Sequence, residues 1–140
     1  MSEAEWREGD ALRGFERLVT QERVEEYAEA AQDFNPIHLD ADFAAGTPYG
    51  KRIAHGMLIL AFAADMMAAN FPDTWASGGR LKVRFRAPVF PGETVTVFGE
   101  VTRITASPGG AMAECKIGCR KPDGTEAVSG QAFVPLSPGR

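Results

Sequence analysis

The sequence is poor in the residues that most directly indicate a metal site or an oxidising compartment. Its 140 residues include only two cysteines and two histidines. In one strand Cys115 and Cys119 would lie about 13 Å apart, which is too far for a disulfide, so we expect two free thiols. Neither histidine lies near the cysteines in sequence with zinc-like spacing. We therefore expect no metal site.

The sequence also lacks an excess of positive charge. Fifteen Lys and Arg residues stand against nineteen Asp and Glu, which gives a net charge of −4 and argues against nucleic acid as a partner. Total composition is 44% hydrophobic and 24% charged, as in ordinary globular proteins. This length fits one domain with one core, and we expect a single domain over residues 1–140.

No hydrophobic run is long enough to predict a membrane span. Residues 55–70, "HGMLILAFAADMMAAN", are sixteen residues with a charge inside, whereas a span needs about 20 apolar residues. The first ten residues, "MSEAEWREGD", do not show the basic segment and apolar segment of a secretory signal. We expect a cytoplasmic protein that does not act in a membrane.

Periodicity and turn signals predict an α+β fold. "ALRGFERLVT" suggests a first strand, and Thr20 is a candidate N-cap for a helix that begins at Gln21. Pro36 should end helical structure and make "DFNPIH" a stiff loop. A short helical turn is expected next, ended by Gly46.

The second half predicts a buried helix and a sheet around it. The apolar run 55–70 is expected to be a helix inside the fold. "RLKVRFRAPV" alternates, with Leu81, Val83 and Phe85 predicted to face inward. "ETVTVFGEVTRITA", "GAMAECKIGCR" and "EAVSGQAFVPL" predict three more strands, separated by turn sequences. Four consecutive hairpin-connected strands imply a curved antiparallel sheet wrapped around the helix.

Asp33 and His38 are the first candidate catalytic pair. They flank the proline in "DFNPIH", so a carboxylate and an imidazole would be held on a rigid segment. Such a pair can accept and donate protons while holding one water molecule. The same two residue types also occur as turn-capping and surface groups, and the residues alone leave both interpretations open.

His55 and Gly56 form the second candidate cluster, at the start of the buried helix. The first backbone N–H groups of a helix have no internal partner and carry the positive end of its dipole. Because Gly56 has no side chain, a substrate oxygen could approach its N–H closely. A simple cap at His55 and a packing glycine at position 56 would also explain the pattern.

The run "DFNPIHLDADFAA", with "IAHGMLILAF" and "VRFRAPVFPGETVTV" downstream, resembles the MaoC-like dehydratase family, which includes the (R)-specific enoyl-CoA hydratases. The resemblance implies a hot-dog fold and a substrate that is an acyl-CoA or acyl-carrier thioester. It also implies that Asp33 and His38 hold the water that adds across the 2,3 double bond, with no cofactor. Gly56 would bind the thioester carbonyl. Asn35 and His55 are also expected among the substrate-binding residues, and the part of Asn35 would be to shape the loop.

One departure from the family keeps other functions open. Several related hydratases have a serine where this chain has Ala64, so the resemblance does not by itself imply efficient hydration of short enoyl-CoA substrates. A hot-dog acyl thioesterase is the first alternative, and a non-catalytic ligand-binding or structural subunit is the second. A homodimer is expected, since pairing between subunits would cover a sheet edge. Acyl length, carrier and physiological direction are not indicated by the sequence.

Overall fold

The computed structural model describes residues 5–137 as five helices or helical turns and five strands. In chain order the elements are β1 (Phe15–Leu18), α1 (Gln21–Ala31), α2 (Pro36–Leu39), α3 (Ala41–Ala45), α4 (Gly56–Asn70), α5 (Trp75–Gly78), β2 (Arg80–Phe85), β3 (Thr94–Ser107), β4 (Gly110–Arg120) and β5 (Glu126–Pro135). The helix cap predicted at Thr20 is confirmed, because its hydroxyl accepts the Arg23 N–H at 3.0 Å. The short turn ended by Gly46 is confirmed as α3.

The strands form one antiparallel sheet in the order β1-β3-β4-β5-β2. The two hairpins that join β3 to β4 and β4 to β5 are as predicted. The expectation that β2 is joined to β3 in the same hairpin series is wrong, because β2 pairs with β5 at the opposite end of the sheet. After β2 the chain leaves the sheet, and the Val89 carbonyl accepts a hydrogen bond from the Ala54 N–H at 2.8 Å.

Helix α4 lies across the concave side of this sheet and contacts β3, β4 and β5. Its sheet-facing side is fully buried, and that side carries the residues Leu58, Ile59, Phe62, Ala63, Met66 and Met67. The opposite side is less covered than predicted, with Met57 56% exposed. A curved antiparallel sheet around one long helix is the hot-dog fold. No helix within residues 5–137 has the length and apolar character needed to cross a membrane.

Both cysteines lie on β4, under the central helix. Cys115 and Cys119 are fully buried free thiols, as predicted. Burial raises the pKa of each thiol to about 12, with Glu114 adding to the effect at Cys115. A thiol with so high a pKa is a poor nucleophile at neutral pH, so these residues serve packing.

Candidate active site

The segment between α1 and α3 places the predicted catalytic pair. Helix α1 ends at Gln32, which has a left-handed backbone (φ 57°), and the Asp33 N–H then donates to the Ala28 carbonyl at 3.0 Å. Asn35 has a non-helical backbone, and its side-chain oxygen accepts the Ile37 N–H at 3.1 Å. This caps a new helical turn that begins at Pro36, where the missing N–H costs nothing. The prediction of a loop over "DFNPIH" is therefore right up to Asn35 and wrong beyond it.

His38 is held by its backbone and by one ring nitrogen. Its Nδ1–H donates to the Ile53 carbonyl at 2.8 Å, since a carbonyl oxygen can only accept. Its own carbonyl accepts the Gln21 side-chain amide at 2.9 Å. The side chain is only 9% exposed. The neutral ring consequently presents Nε2 as its free, basic nitrogen, and the ring cannot turn without losing the Ile53 bond.

Asp33 presents its carboxylate on the open side of the same segment. Its Oδ1 accepts the Asn35 N–H at 3.3 Å, which fixes the direction of the side chain. A carboxylate oxygen of Asp33 lies within 4.8 Å of a ring nitrogen of His38. Two hydrogen bonds of about 2.8 Å that meet at one water molecule span about 4.6 Å. A separation of no more than 4.8 Å is therefore within the reach of one water molecule that bonds to both the acid and the imidazole.

His55 lies behind this pair. Its Nε2–H donates to the Asp33 carbonyl at 3.1 Å, and its ring stacks on the His38 ring with centroids 3.8 Å apart and planes 26° apart. Tyr27 of α1 packs against the His55 ring, at 4.8 Å between centroids. Burial lowers the pKa of His55 below its ordinary value of 6.5, and the neighbouring His38 lowers it further, against the hydrogen bond to Asp33.

Gly56 opens α4 beside these rings. As the first helical residue it has a backbone N–H without an intrahelical acceptor, and it is exposed. It borders a cavity of about 250 Å³ whose walls also include Ile53, Phe85 and Arg86. Gly56 thus brings an open helix N-terminus to this cavity. The preceding residue, His55, contacts both Asp33 and His38.

Comparison with known proteins identifies the family of this chain. The family model described as the MaoC like domain matches residues 7–113, most of the chain. The chain belongs to the MaoC-like family. It is 34% identical over 113 residues to the (R)-specific enoyl-CoA hydratase of Aeromonas caviae, covering 81% of this chain and 83% of that protein. It is also 34% identical over 111 residues to the 3-hydroxybutyryl-CoA dehydratase of Methylorubrum extorquens, covering 79% and 68%.

Solved structures of similar proteins have the same fold as this chain. The (R)-hydratase of Aeromonas caviae superimposes with a TM-score of 0.82 at 29% identity, over 95% of this chain and 98% of that one. The R-hydratase PhaJ1 of Pseudomonas aeruginosa superimposes with a TM-score of 0.83 at 27% identity, over 99% and 86%. This MaoC-like chain therefore has the hot-dog architecture that its sequence predicts.

The cluster of Asp33, His38 and His55 has the residue types of a metal site. One ligand atom from each lies within 4.8 Å of the others. The two imidazole rings are stacked nearly parallel, however, so their nitrogen lone pairs lie in two nearly parallel planes and do not converge on one ion. One nitrogen of each ring is also engaged with a backbone carbonyl. The arrangement fits proton transfer through water better than metal binding.

All five predicted site residues of this MaoC-like chain lie in one region, but four further contributors were missed. They are Gln21, Tyr27, Ile53 and Phe85. The contact of Gln21 with His38 joins residues 17 positions apart, and no local pattern predicts it. The alternation of β2 predicted that Phe85 faces inward, which is wrong: it is 53% exposed and lies against Gly56. Ala64 lies on α4 eight residues after Gly56, about 12 Å along the helix.

Proposed function

We propose that this chain catalyses the reversible addition of water to a 2-enoyl thioester, giving a (R)-3-hydroxyacyl thioester. The observation that carries the proposal is the 4.8 Å limit on the separation of the Asp33 carboxylate and the His38 imidazole, beside the open N–H of Gly56. Names of two similar proteins, an (R)-specific enoyl-CoA hydratase and a 3-hydroxybutyryl-CoA dehydratase, support the same reaction in its two directions.

The roles follow from the chemistry of a conjugated thioester. Water bound between Asp33 and His38 attacks C3, forming the C3–O bond as an O–H bond of the water breaks and its proton passes to this pair. The π electrons of the double bond move toward the thioester oxygen, where the Gly56 N–H and the α4 dipole stabilise the developing negative charge. A proton from the same pair then completes the C2–H bond, so the net change is addition of H and OH.

The carrier of the acyl group is either coenzyme A or a carrier protein, since both present the same thioester. The cavity beside Gly56 is lined mainly by apolar side chains, which suits an acyl or pantetheine chain. Arg86 is one of its lining residues, and its side chain donates to the Ser129 hydroxyl. A guanidinium in this position is suited to a phosphate of either carrier.

A homodimer is part of the proposal. Large apolar side chains are exposed near the site, namely Phe34, Phe43, Tyr49, Met57 and Phe85, each about half accessible. Pairing of two copies through these side chains would bury them and shield the site from bulk water. Light scattering at micromolar concentration should give about twice the mass of the chain, and the mass of one chain would contradict the proposed dimer. A cytoplasmic location stays a prediction.

The proposed reaction is tested with the wild-type protein and two sets of substrates. Hydration removes the ultraviolet absorbance of the conjugated enoyl thioester, which is followed with enoyl-CoAs of increasing chain length. Saturated acyl-CoAs are assayed in parallel for release of free thiol. Loss of enoyl absorbance without thiol release is the expected result. Thiol release from saturated substrates would instead indicate a thioesterase, and no turnover in either assay would favour a non-catalytic subunit.

A further inference from the structure

His55 does not meet the requirements of a group that touches substrate or water through its side chain. Its side chain is 2% exposed, enclosed by Tyr27 of α1 on one side and by His38 of α2 on the other. Its polar contact reaches backward to the carbonyl of Asp33. If His55 contributes to the site, as the sequence predicts, it must therefore act through other residues and not by contact of its side chain with substrate.

The hydrogen bonds assign the proton positions of both rings. The carbonyl of Asp33 can only accept, so His55 must carry its proton on Nε2. Its Nδ1 is buried and has no partner within residues 5–137. A second proton at Nδ1 would place a charged N–H group there without an acceptor, which is costly in a buried position. His38 has the opposite tautomer, with its proton on Nδ1 toward Ile53.

The stacking of the two rings adds an electrostatic constraint. Two imidazolium ions with centroids 3.8 Å apart would repel each other, so the pair favours at most one positive charge. The ionisable groups that face His55 are Asp33 and His38 from the segment after α1, and Tyr27 from α1 itself. Of the two histidines, His38 has the free Nε2 and is the one that can take up a proton at the reacting water.

We propose that His55 is a positioning residue: an imidazole that stays neutral at neutral pH, fixes the backbone of Asp33 and supports the ring of His38, so that only His38 exchanges protons with substrate. This rests on the proposed hydration reaction for its effect on rate. Gln21 complements it, because its amide fixes the carbonyl of His38 as His55 fixes that of Asp33. The two catalytic residues are each held from outside their own segment by one side chain.

The first test needs no substrate. Because the chain has only two histidines, one variant assigns both ring systems in a nitrogen-15 NMR spectrum of the intact protein. We expect His55 to be protonated on Nε2 alone at neutral pH and the neutral ring of His38 to carry its proton on Nδ1, with His55→Gln removing the first set of signals. A doubly protonated His55, or a proton on its Nδ1, would overturn the proposal whatever the protein's activity.

The second test uses two variants that separate the donor from the ring. His55→Phe keeps an aromatic ring against His38 but cannot donate to Asp33, while His55→Gln keeps an amide donor near the position of Nε2. We expect His55→Phe to lower kcat by about 10- to 100-fold with little change in KM, because a small displacement of a reacting group has this effect. His55→Gln should recover most of that loss and leave the shape of the kcat–pH profile unchanged.

The outcomes distinguish a wrong role from a wrong reaction. If His55→Gln removes one limb of the pH profile, His55 exchanges protons itself and the positioning role is wrong. If His55→Phe retains full kcat in a folded protein, the bond to Asp33 has no catalytic effect and the role is also wrong. If the wild type hydrates no enoyl thioester, the proposed function fails, while the tautomers seen by NMR still decide whether His55 holds Asp33 as inferred.

Discussion

Substitution of Gly56 by alanine tests whether the start of α4 receives the thioester oxygen. A Cβ atom at this position would lie 3.0 Å from Cδ1 and 3.1 Å from Cε1 of Phe85, where ordinary contact begins at 3.4 Å. The ring must therefore move by a few tenths of an ångström. Phe85 is 53% exposed, so it has room to do so.

The expected effect on folding is small and the expected effect on catalysis is large. Overpacking costs about 1–3 kcal/mol, and an exposed ring places this site at the low end. The gain in helix propensity from Gly to Ala, up to about 1 kcal/mol, offsets it. The free energy of unfolding should thus change by less than about 1 kcal/mol. The methyl group and the displaced ring would cover the N–H, and loss of one oxyanion donor lowers kcat by about 10²- to 10³-fold.

The assay compares enoyl thioester hydration and denaturant unfolding for Gly56→Ala, Phe85→Ala and the double variant. Removal of the Phe85 ring should restore part of the activity lost in Gly56→Ala, because the added methyl group then has space. A Gly56→Ala protein that hydrates substrate within a few-fold of wild type would refute the assignment of the Gly56 N–H to the thioester oxygen. Equal losses of hydration activity in Gly56→Ala and in the double variant would show that Phe85 is not involved.

Three further predictions concern stability and reactivity. The buried Asn70 side chain pairs with both the N–H and the carbonyl of Arg13, at 2.9 and 3.0 Å. Asn70→Ala should therefore lower the free energy of unfolding, measured by urea titration, by about 1–3 kcal/mol. An unchanged free energy of unfolding would contradict the pairing. The pKa of His55 is lowered in the folded state, so the unfolded chain takes up a proton first as the pH falls below about 6.5. The free energy of unfolding should therefore fall below that pH, and it should fall less in His55→Gln. Cys115 and Cys119 should react with thiol reagents only after unfolding, and labelling of the native protein would show that they are accessible.

Local patterns predicted the elements that local physics determines. Thr20 caps α1 through a hydrogen bond to Arg23, only three positions away, so both partners lie within one short stretch of sequence. The apolar run that became α4 was recognisable because it was too apolar to be exposed and too short to span a membrane. Asn35 and Pro36 together form the start of a helical turn, so the predicted loop is wrong here, because a proline that ends one helix also favours the first position of the next.

Features that depend on contacts between distant residues could not be predicted from the sequence. The pairing of β2 with β5 depends on how the chain closes around α4, and a turn sequence after β2 suggested a hairpin with β3 instead. Phe85 follows the inward alternation of its strand in sequence, yet lies at the edge of the sheet against Gly56. The bonds from Gln21 and His55 to the segment that carries Asp33 and His38 span 17 and 22 residues, so only the folded chain brings these residues together.

The most direct test of the central claim is the rate of enoyl thioester hydration by Asp33→Asn beside the wild type. Asparagine has nearly the same shape and can still accept the Asn35 N–H, so folding should be unchanged, and circular dichroism and thermal unfolding provide the control. Loss of a general base should lower kcat by about 10²- to 10⁴-fold. Activity of a folded Asp33→Asn protein that equals that of the wild type would contradict the assignment of Asp33 to the reacting water, and with it the mechanism proposed for this chain.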